Sequence, residues 1–222
     1  ERPTAAQAGL LERLAVALAN PGPREASVRA AMNGGVGGSR NAASLMAALA
    51  VGAGQYGGGH EVYITVSAWE QLGTDLAAWQ AFLVAPNEGY QEDIWSPIEH
   101  APGFDPNGER CPTTVLQMLD VLAAASPGPA LPWLQTHREV LEQGMGYPLA
   151  VSGVAAAALY DLGMNGHQAS MLYLMLRLPG AAVHALEQRD LGWKQFPFYA
   201  PNIELSNDPG PREMPDISRF GL

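Results

Sequence analysis

Apolar residues recur at helical spacing along most of this chain, and each run is cut short by glycine or proline. In AGLLERLAVALA, residues 8–19, Leu10, Leu11, Leu14 and Leu18 form one stripe that stops before Asn20-Pro-Gly-Pro, as it must where a helix interior excludes proline. REASVRAAM reads as a second, short helix. It ends in the loop NGGVGGSRN, where Ser39 or Asn41 is able to cap the next helix, AASLMAALAV. HEVYITVSAWEQL carries two periods at once: Val62, Ile64 and Val66 alternate as in a strand, while Val62, Val66 and Trp69 repeat as in a helix. Helix is favoured, because Gly73 closes the run and TDLAAWQAFLV follows as another. Helical patterns resume at TTVLQMLDVLAAA, LPWLQTHREVLEQ, PLAVSGVAAAALYDLG, HQASMLYLMLRL and PGAAVHALEQRDLG, the last opened by Pro179 in the first-turn position that suits proline. An all-α chain of about eight to ten helices of ordinary length is therefore predicted. Residues 86–112, rich in proline, glycine and acid, read as a long functional or lobe-connecting loop, and the proline-rich tail from Phe196 as an extended segment on the surface or across a partner.

At 222 residues one core, or one core with a smaller lobe, is the expected organisation. A net charge of −10 with twelve Lys plus Arg argues against nucleic acid as a partner, since phosphate binding needs clustered cations. No apolar run reaches the roughly 18 residues that cross a bilayer, so no membrane is expected. A single cysteine, Cys111, makes no internal disulfide, and no leader pattern precedes the first helix, so a cytoplasmic protein is the default expectation. No His-Glu-x-x-His, Cys-x-x-Cys or spaced acid cluster suggests a metal, and the glycine-rich GGVGGS lacks the lysine of a phosphate-binding loop.

LRLPGAAVHALEQ, residues 176–188, resembles a signature of the citrate synthase superfamily in which Pro-Gly opens a helix carrying Ala-His and Leu-Glu. Four further segments resemble family motifs in the family's order. ANPGPREASVRAAM resembles its Ala-Asp-His-Gly segment, GAGQYGGGHE its Gly-Pro-Leu-His-Gly-Gly loop, APGFDPNGER its Pro-Gly-Phe/Tyr-Gly-His loop, and SGVAAAALYDLGM its Asn-Val-Asp-x-x-Ser-Gly helix. The short length points to the citryl-CoA lyase and ATP-citrate lyase C-terminal branch. The resemblance implies a two-lobed helical fold over residues 1–222, with the smaller lobe at roughly 101–170, a homodimer, and a coenzyme A thioester as substrate with no resident cofactor. It also implies a Claisen-type reaction that makes or breaks a carbon–carbon bond next to the thioester. That chemistry needs a placed base for a weakly acidic carbon and a donor aimed at the oxygen where charge develops.

Carried over position by position, the family's catalytic groups are replaced. The loop histidine falls on Gly57, with Gly58 and Gly59 as the two glycines; the Ala-Asp-His-Gly histidine falls on Pro21; the catalytic aspartate falls on Leu149; and the C-terminal arginines fall near Phe196 and Phe198. Arg110 matches the arginine of a family Asp-Pro-Arg. Two readings follow. In the first, the site is rebuilt for a less carboxylated substrate, with His60, Asp105 and His184 as candidate catalytic groups. Glu61 would orient His60, and Gly57, Gly58, Gly59, Arg110, Leu149, Phe196 and Phe198 would line the substrate pocket. In the second, the protein is a catalytically silent paralogue that binds coenzyme A or a partner subunit. Each candidate also has a plain structural account: His60 and Glu61 as the first turn of a helix, Asp105 and Glu109 as parts of a turn, and His184 as a core histidine. His137 reads as packing, and Cys111 as structural.

Overall fold

The computed structural model describes residues 2–84 and 101–197. Among the described residues nine α-helices form and no strand does: α1 Ala5–Leu18, α2 Ala26–Val36, α3 Asn41–Gly52, α4 Gly59–Leu72, α5 Leu76–Val84, α6 Thr113–Ala123, α7 Ala130–Met145, α8 Val151–Asp161 and α9 Gly166–Leu191. The all-α reading of the sequence holds. The segment with two periods is helical, and Gly73 closes it by donating its N–H to the Trp69 carbonyl.

Local signals start these helices and packing completes them. Thr4 and Gln7 form a reciprocal cap at α1, Thr4 Oγ1 accepting from the Gln7 N–H at 3.2 Å and Gln7 Oε1 from the Thr4 N–H at 2.9 Å. One stripe of α1, Leu10, Leu14 and Leu18, is then buried. Helix α8 lies at the centre. Every residue from Ser152 to Leu159 is buried, and a helix covered on all sides calls for the alanines that let neighbours approach closely. Trp69 of α4 meets Trp79 of α5 at 4.6 Å, Trp133 of α7 at 5.5 Å and Tyr160 of α8 at 5.9 Å between ring centroids, so one aromatic nest joins four helices. The buried apolar residues form two clusters. The larger draws on α1 and on α4 to the first half of α9; the smaller joins Val28, Ala31 and Met32 to Ala48, Ala181, Ala185 and Phe196.

Three local expectations are corrected. The segments on either side of Pro179 are one helix, α9, of 26 residues with the proline inside. The Gly180 N–H donates instead to the Ala19 carbonyl at the end of α1, at 2.6 Å. The interruption in the helical ladder is thereby answered from a neighbouring element, and the helix continues. Helix α2 runs through Asn33-Gly34-Gly35 rather than ending before it. Gly35 packs so tightly on α9 that a Cβ there would overlap the Ala185 carbonyl oxygen. Finally, α3 is preceded by Arg40 with no side-chain cap, because the Asn41 side chain accepts from Arg189 Nη2 at 2.6 Å and is not turned to the helix end.

At 26 residues α9 matches a membrane-crossing helix in length and mean hydropathy, but it packs against α2, α3 and α4, with Ala169, Tyr173, Gly180, Ala181 and Ala185 buried. Ahead of α6, residues 103–105 are stitched to residues 148–150. Phe104 and Leu149 form an isolated antiparallel bridge, the Ala150 N–H donates to the Gly103 carbonyl at 2.9 Å, and the Asp105 N–H donates to the Pro148 carbonyl at 2.8 Å. The rest of the expected long loop, residues 86–100, and the tail beyond residue 197, with Phe198, lie outside the described residues.

Candidate functional site

A cleft of about 1200 Å³ opens between α1, the turn that leads into α2, the Gly57 turn, residues 104–107, α6, the start of α8 and the middle of α9. Gly57 has φ +65°, a left-handed conformation that glycine adopts at little cost. Both polar groups of that residue are bonded. Its N–H donates to Glu61 Oε2. Its carbonyl accepts from the Tyr173 hydroxyl at 2.9 Å and from Arg177 Nη1 at 3.0 Å. Tyr173 and Arg177 stand one turn apart on α9, with the guanidinium carbon 4.8 Å from the centre of the Tyr173 ring.

Glu61 and Arg177 extend these contacts in two directions. Glu61 is 2% exposed; its Oε1 accepts from the Gly103 N–H at 2.7 Å and from the Ser152 hydroxyl at 2.8 Å. One carboxylate, which offers only acceptors, thus meets three donors from the Gly57 turn, the segment before α6 and the start of α8. Arg177 Nη2 pairs with Glu25 Oε1 at 2.7 Å. Glu25 Oε2 in turn caps α2, accepting from the N–H groups of Ser27 at 2.8 Å and Val28 at 3.1 Å and from the Ser27 hydroxyl. Burial alone would raise the Glu25 carboxyl, but the Arg177 charge and the hydrogen bonds of Ser27 and Val28 outweigh it and hold the group below the usual carboxylate range. Burial pushes the Tyr173 phenol up to about 12, against the lowering effect of Arg177 and with Glu61 and Glu25 adding to the rise. Tyr173 therefore acts as a neutral hydrogen-bond donor.

The candidates read from the sequence divide. Gly57, Asp105 and Leu149 line the cleft. Asp105 Oδ1 accepts from the Asn107 N–H at 2.9 Å, while its Oδ2 has no hydrogen-bond partner among the described residues. Leu149 is 1% exposed and presents an apolar wall where the family resemblance puts a carboxylate. His60 and His184 are not among the lining residues. The His60 ring stacks on Tyr63 at 5.9 Å, and His184 contacts Glu187 at 3.0 Å and Asn20 Oδ1 at 3.1 Å. Glu61, considered as an orienter of His60, spends both carboxylate oxygens on other groups. Gly58 and Gly59 lie behind Gly57: Gly58 precedes α4 as its cap residue, and Gly59 packs on Ser170 and Leu174 of α9. Arg110 is exposed and outside the cleft. Phe196 is buried in the smaller apolar cluster and not in a substrate pocket. His137 stacks on Trp133 at 4.5 Å, as a packing residue should. Burial first, then Glu142, pushes the Cys111 thiol up to about 11, which leaves it a poor nucleophile.

Glu25, Tyr173 and Arg177 escaped the sequence reading. A signal for one of them exists, since Arg177 is the only charged residue in MLYLMLRLPG, and a cation in an apolar helical run requires a buried partner. Three further arginines, Arg13, Arg24 and Arg29, stand on the α1 and α2 side of the cleft. Among the described residues no group of three or more His, Cys, Asp or Glu side chains is placed to hold a metal ion.

No family model matches the sequence, and no curated protein matches it. Solved structures do. The citryl-CoA lyase of Hydrogenobacter thermophilus superposes with a TM-score of 0.66 at 18% identity, covering 99% of this chain and 84% of the other. The ATP citrate lyase of Methanothrix soehngenii, in complex with citrate and coenzyme A, gives a TM-score of 0.67 at 18% identity over 92% of this chain and 35% of the other. A variant of the Methanosaeta concilii ATP citrate lyase in complex with (3S)-citryl-CoA gives a TM-score of 0.64 at 16% identity, over 100% of this chain and 36% of the other. The groups around Gly57 thus stand on the citrate synthase-like helical fold that this chain shares with citryl-CoA lyase and with about a third of ATP citrate lyase.

Proposed function

We propose that the Gly57 cleft binds a coenzyme A thioester and that the protein makes or breaks a carbon–carbon bond at its acyl end. One observation carries this reading. The segments singled out by the family resemblance, at Pro21, Gly57, Phe104-Asp105 and Leu149, come from distant parts of the chain and line a single cleft, on a fold whose solved relatives are complexed with coenzyme A or citryl-CoA. Arg13, Arg24 and Arg29 are suited to the phosphates of the nucleotide. Asp105 is the candidate base: Glu61 is committed to three donors and Glu25 to Arg177, whereas Asp105 keeps one oxygen for a substrate proton. Neutral Tyr173 and Arg177 hold the Gly57 peptide in place at the cleft floor. A homodimer is part of the proposal, supported by the exposed stripe of Met171, Met175, Val183 and Leu186 on α9, which a second copy would cover.

A second reading, a catalytically silent paralogue binding coenzyme A or a partner subunit, is favoured by Leu149 at the base position and by the two histidines lying away from the cleft. Calorimetric titration with free coenzyme A and acetyl-CoA, each with and without oxaloacetate, followed by turnover of a panel of acyl-CoA thioesters, separates the two. Binding with turnover that falls roughly 100-fold or more in Asp105→Asn supports the enzyme. Binding without turnover supports the silent paralogue, and absence of all binding overturns the coenzyme A reading.

A further inference from the structure

Arg177 is the buried cation of the cleft. Its side chain is 7% exposed, and each of its two terminal nitrogens has a partner inside the protein, one the Gly57 carbonyl and one Glu25. A guanidinium facing a ligand cleft is the usual means of holding a ligand carboxylate. Here a carboxylate of the protein already occupies it. Glu25 is held there from behind, because its second oxygen caps α2 and its negative charge lies at the positive end of that helix. A ligand carboxylate would have to displace a group anchored at two points. It would also meet Glu61 and Asp105, which line the same cleft, and the apolar wall of Phe104, Leu149 and Leu122.

We infer that Glu25 is a specificity-determining residue: it fills the anion position of Arg177 and so restricts the floor of the cleft to ligand groups that carry no carboxylate. The inference builds on the coenzyme A reading and narrows it to thioesters whose reacting end is uncharged, with the nucleotide phosphates served by the exposed Arg13, Arg24 and Arg29. Glu25 thereby does two jobs with its two oxygens, starting a helix and closing an anion site.

The test is a gain of binding. Wild-type protein is titrated calorimetrically with citrate, with oxaloacetate and, in a separate arm, with free coenzyme A; the titrations are repeated on Glu25→Ser, on Arg177→Ala and on the double variant. Serine keeps an N-cap oxygen for α2 while removing the carboxylate. The expected result is no measurable citrate or oxaloacetate binding to wild type, affinity raised by roughly 10- to 100-fold or more in Glu25→Ser, the scale of one charge-assisted pair, and loss of the gain when Arg177 is also removed. Should Glu25→Ser unfold, Glu25→Gln, which keeps an oxygen for the Ser27 and Val28 amides, carries the same test. Wild-type binding of citrate that depends on Arg177, or variants that fold and gain nothing, overturns the inference. The coenzyme A arm judges the other reading separately. Binding there with no carboxylate gain sinks only the role of Glu25, while a carboxylate gain without coenzyme A binding sinks only the thioester.

Discussion

The Gly57 turn and the contact of α2 with α9 both bring glycine backbone against another element, yet opposite forces hold them. At Gly57 the contact is polar and directional: an N–H to Glu61, and a carbonyl to Tyr173 and Arg177. At Gly35 the contact is steric, with helix pressed on helix and Val28, Ala31, Met32, Ala48, Ala181, Ala185 and Phe196 filling the surroundings. The difference follows from what lies on the far side. A turn that faces a cleft has no packing partner there, so hydrogen bonds must fix it. A helix pair inside the scaffold packs face to face, and dispersion and apolar burial suffice.

Substitutions at the two regions should break them differently. The largest effect is expected for Glu61→Ala, which leaves the buried donors of Gly103 and Ser152 and the half-buried Gly57 N–H without an acceptor. Since each such loss costs about 1–3 kcal/mol, urea denaturation should show a loss of at least about 3 kcal/mol, and the remaining folded protein should bind coenzyme A poorly. Gly35→Ala should cost less, about 1–3 kcal/mol through overpacking against α9, seen as a lower thermal midpoint, while the folded fraction keeps its coenzyme A affinity. Equal losses of affinity in the two variants would erase the distinction drawn between floor and scaffold. The smallest effect concerns acid. Because the folded Glu25 carboxyl lies below its ordinary value, its contribution to stability is complete above the unfolded carboxylate pKa of about 4.3 and is lost as pH falls through the folded value. Urea midpoints measured from pH 5 downward should therefore fall more steeply for wild type than for Glu25→Gln, and parallel curves would count against the Glu25–Arg177 pair.

What the sequence made legible was local. Leu10, Leu14 and Leu18 mark α1 without ambiguity, and Gly73 resolves the mixed period of α4. The order of five motif-like segments was enough to anticipate the fold. Pro179 misled, because a proline reads as a helix start unless a neighbour answers the broken ladder, and that neighbour, the Ala19 carbonyl, is 161 residues before Gly180. Gly34 and Gly35 misled for a related reason: glycine inside a helix costs about 0.5–1 kcal/mol relative to alanine, and only the closeness of α9 makes it the residue that fits.

Within the site, two of the residues with familiar chemistry, His60 and His184, are half-buried outside the cleft. Glu61 reads from the sequence as an orienter of His60 or as a first-turn acid favouring the helix dipole, since nothing in GGGHEVY shows that Gly103 and Ser152 will arrive beside it. The bonds that build the floor join residues 42, 91, 116 and 120 positions apart. By itself the sequence determined that this protein is all-α, because the 3.6-residue period, the caps and the helix-ending glycines act over a few neighbouring residues. Only the tertiary structure decided which polar groups face the cleft and which are already spent, because a side chain's partners are set by the crossing of helices that no local spacing encodes.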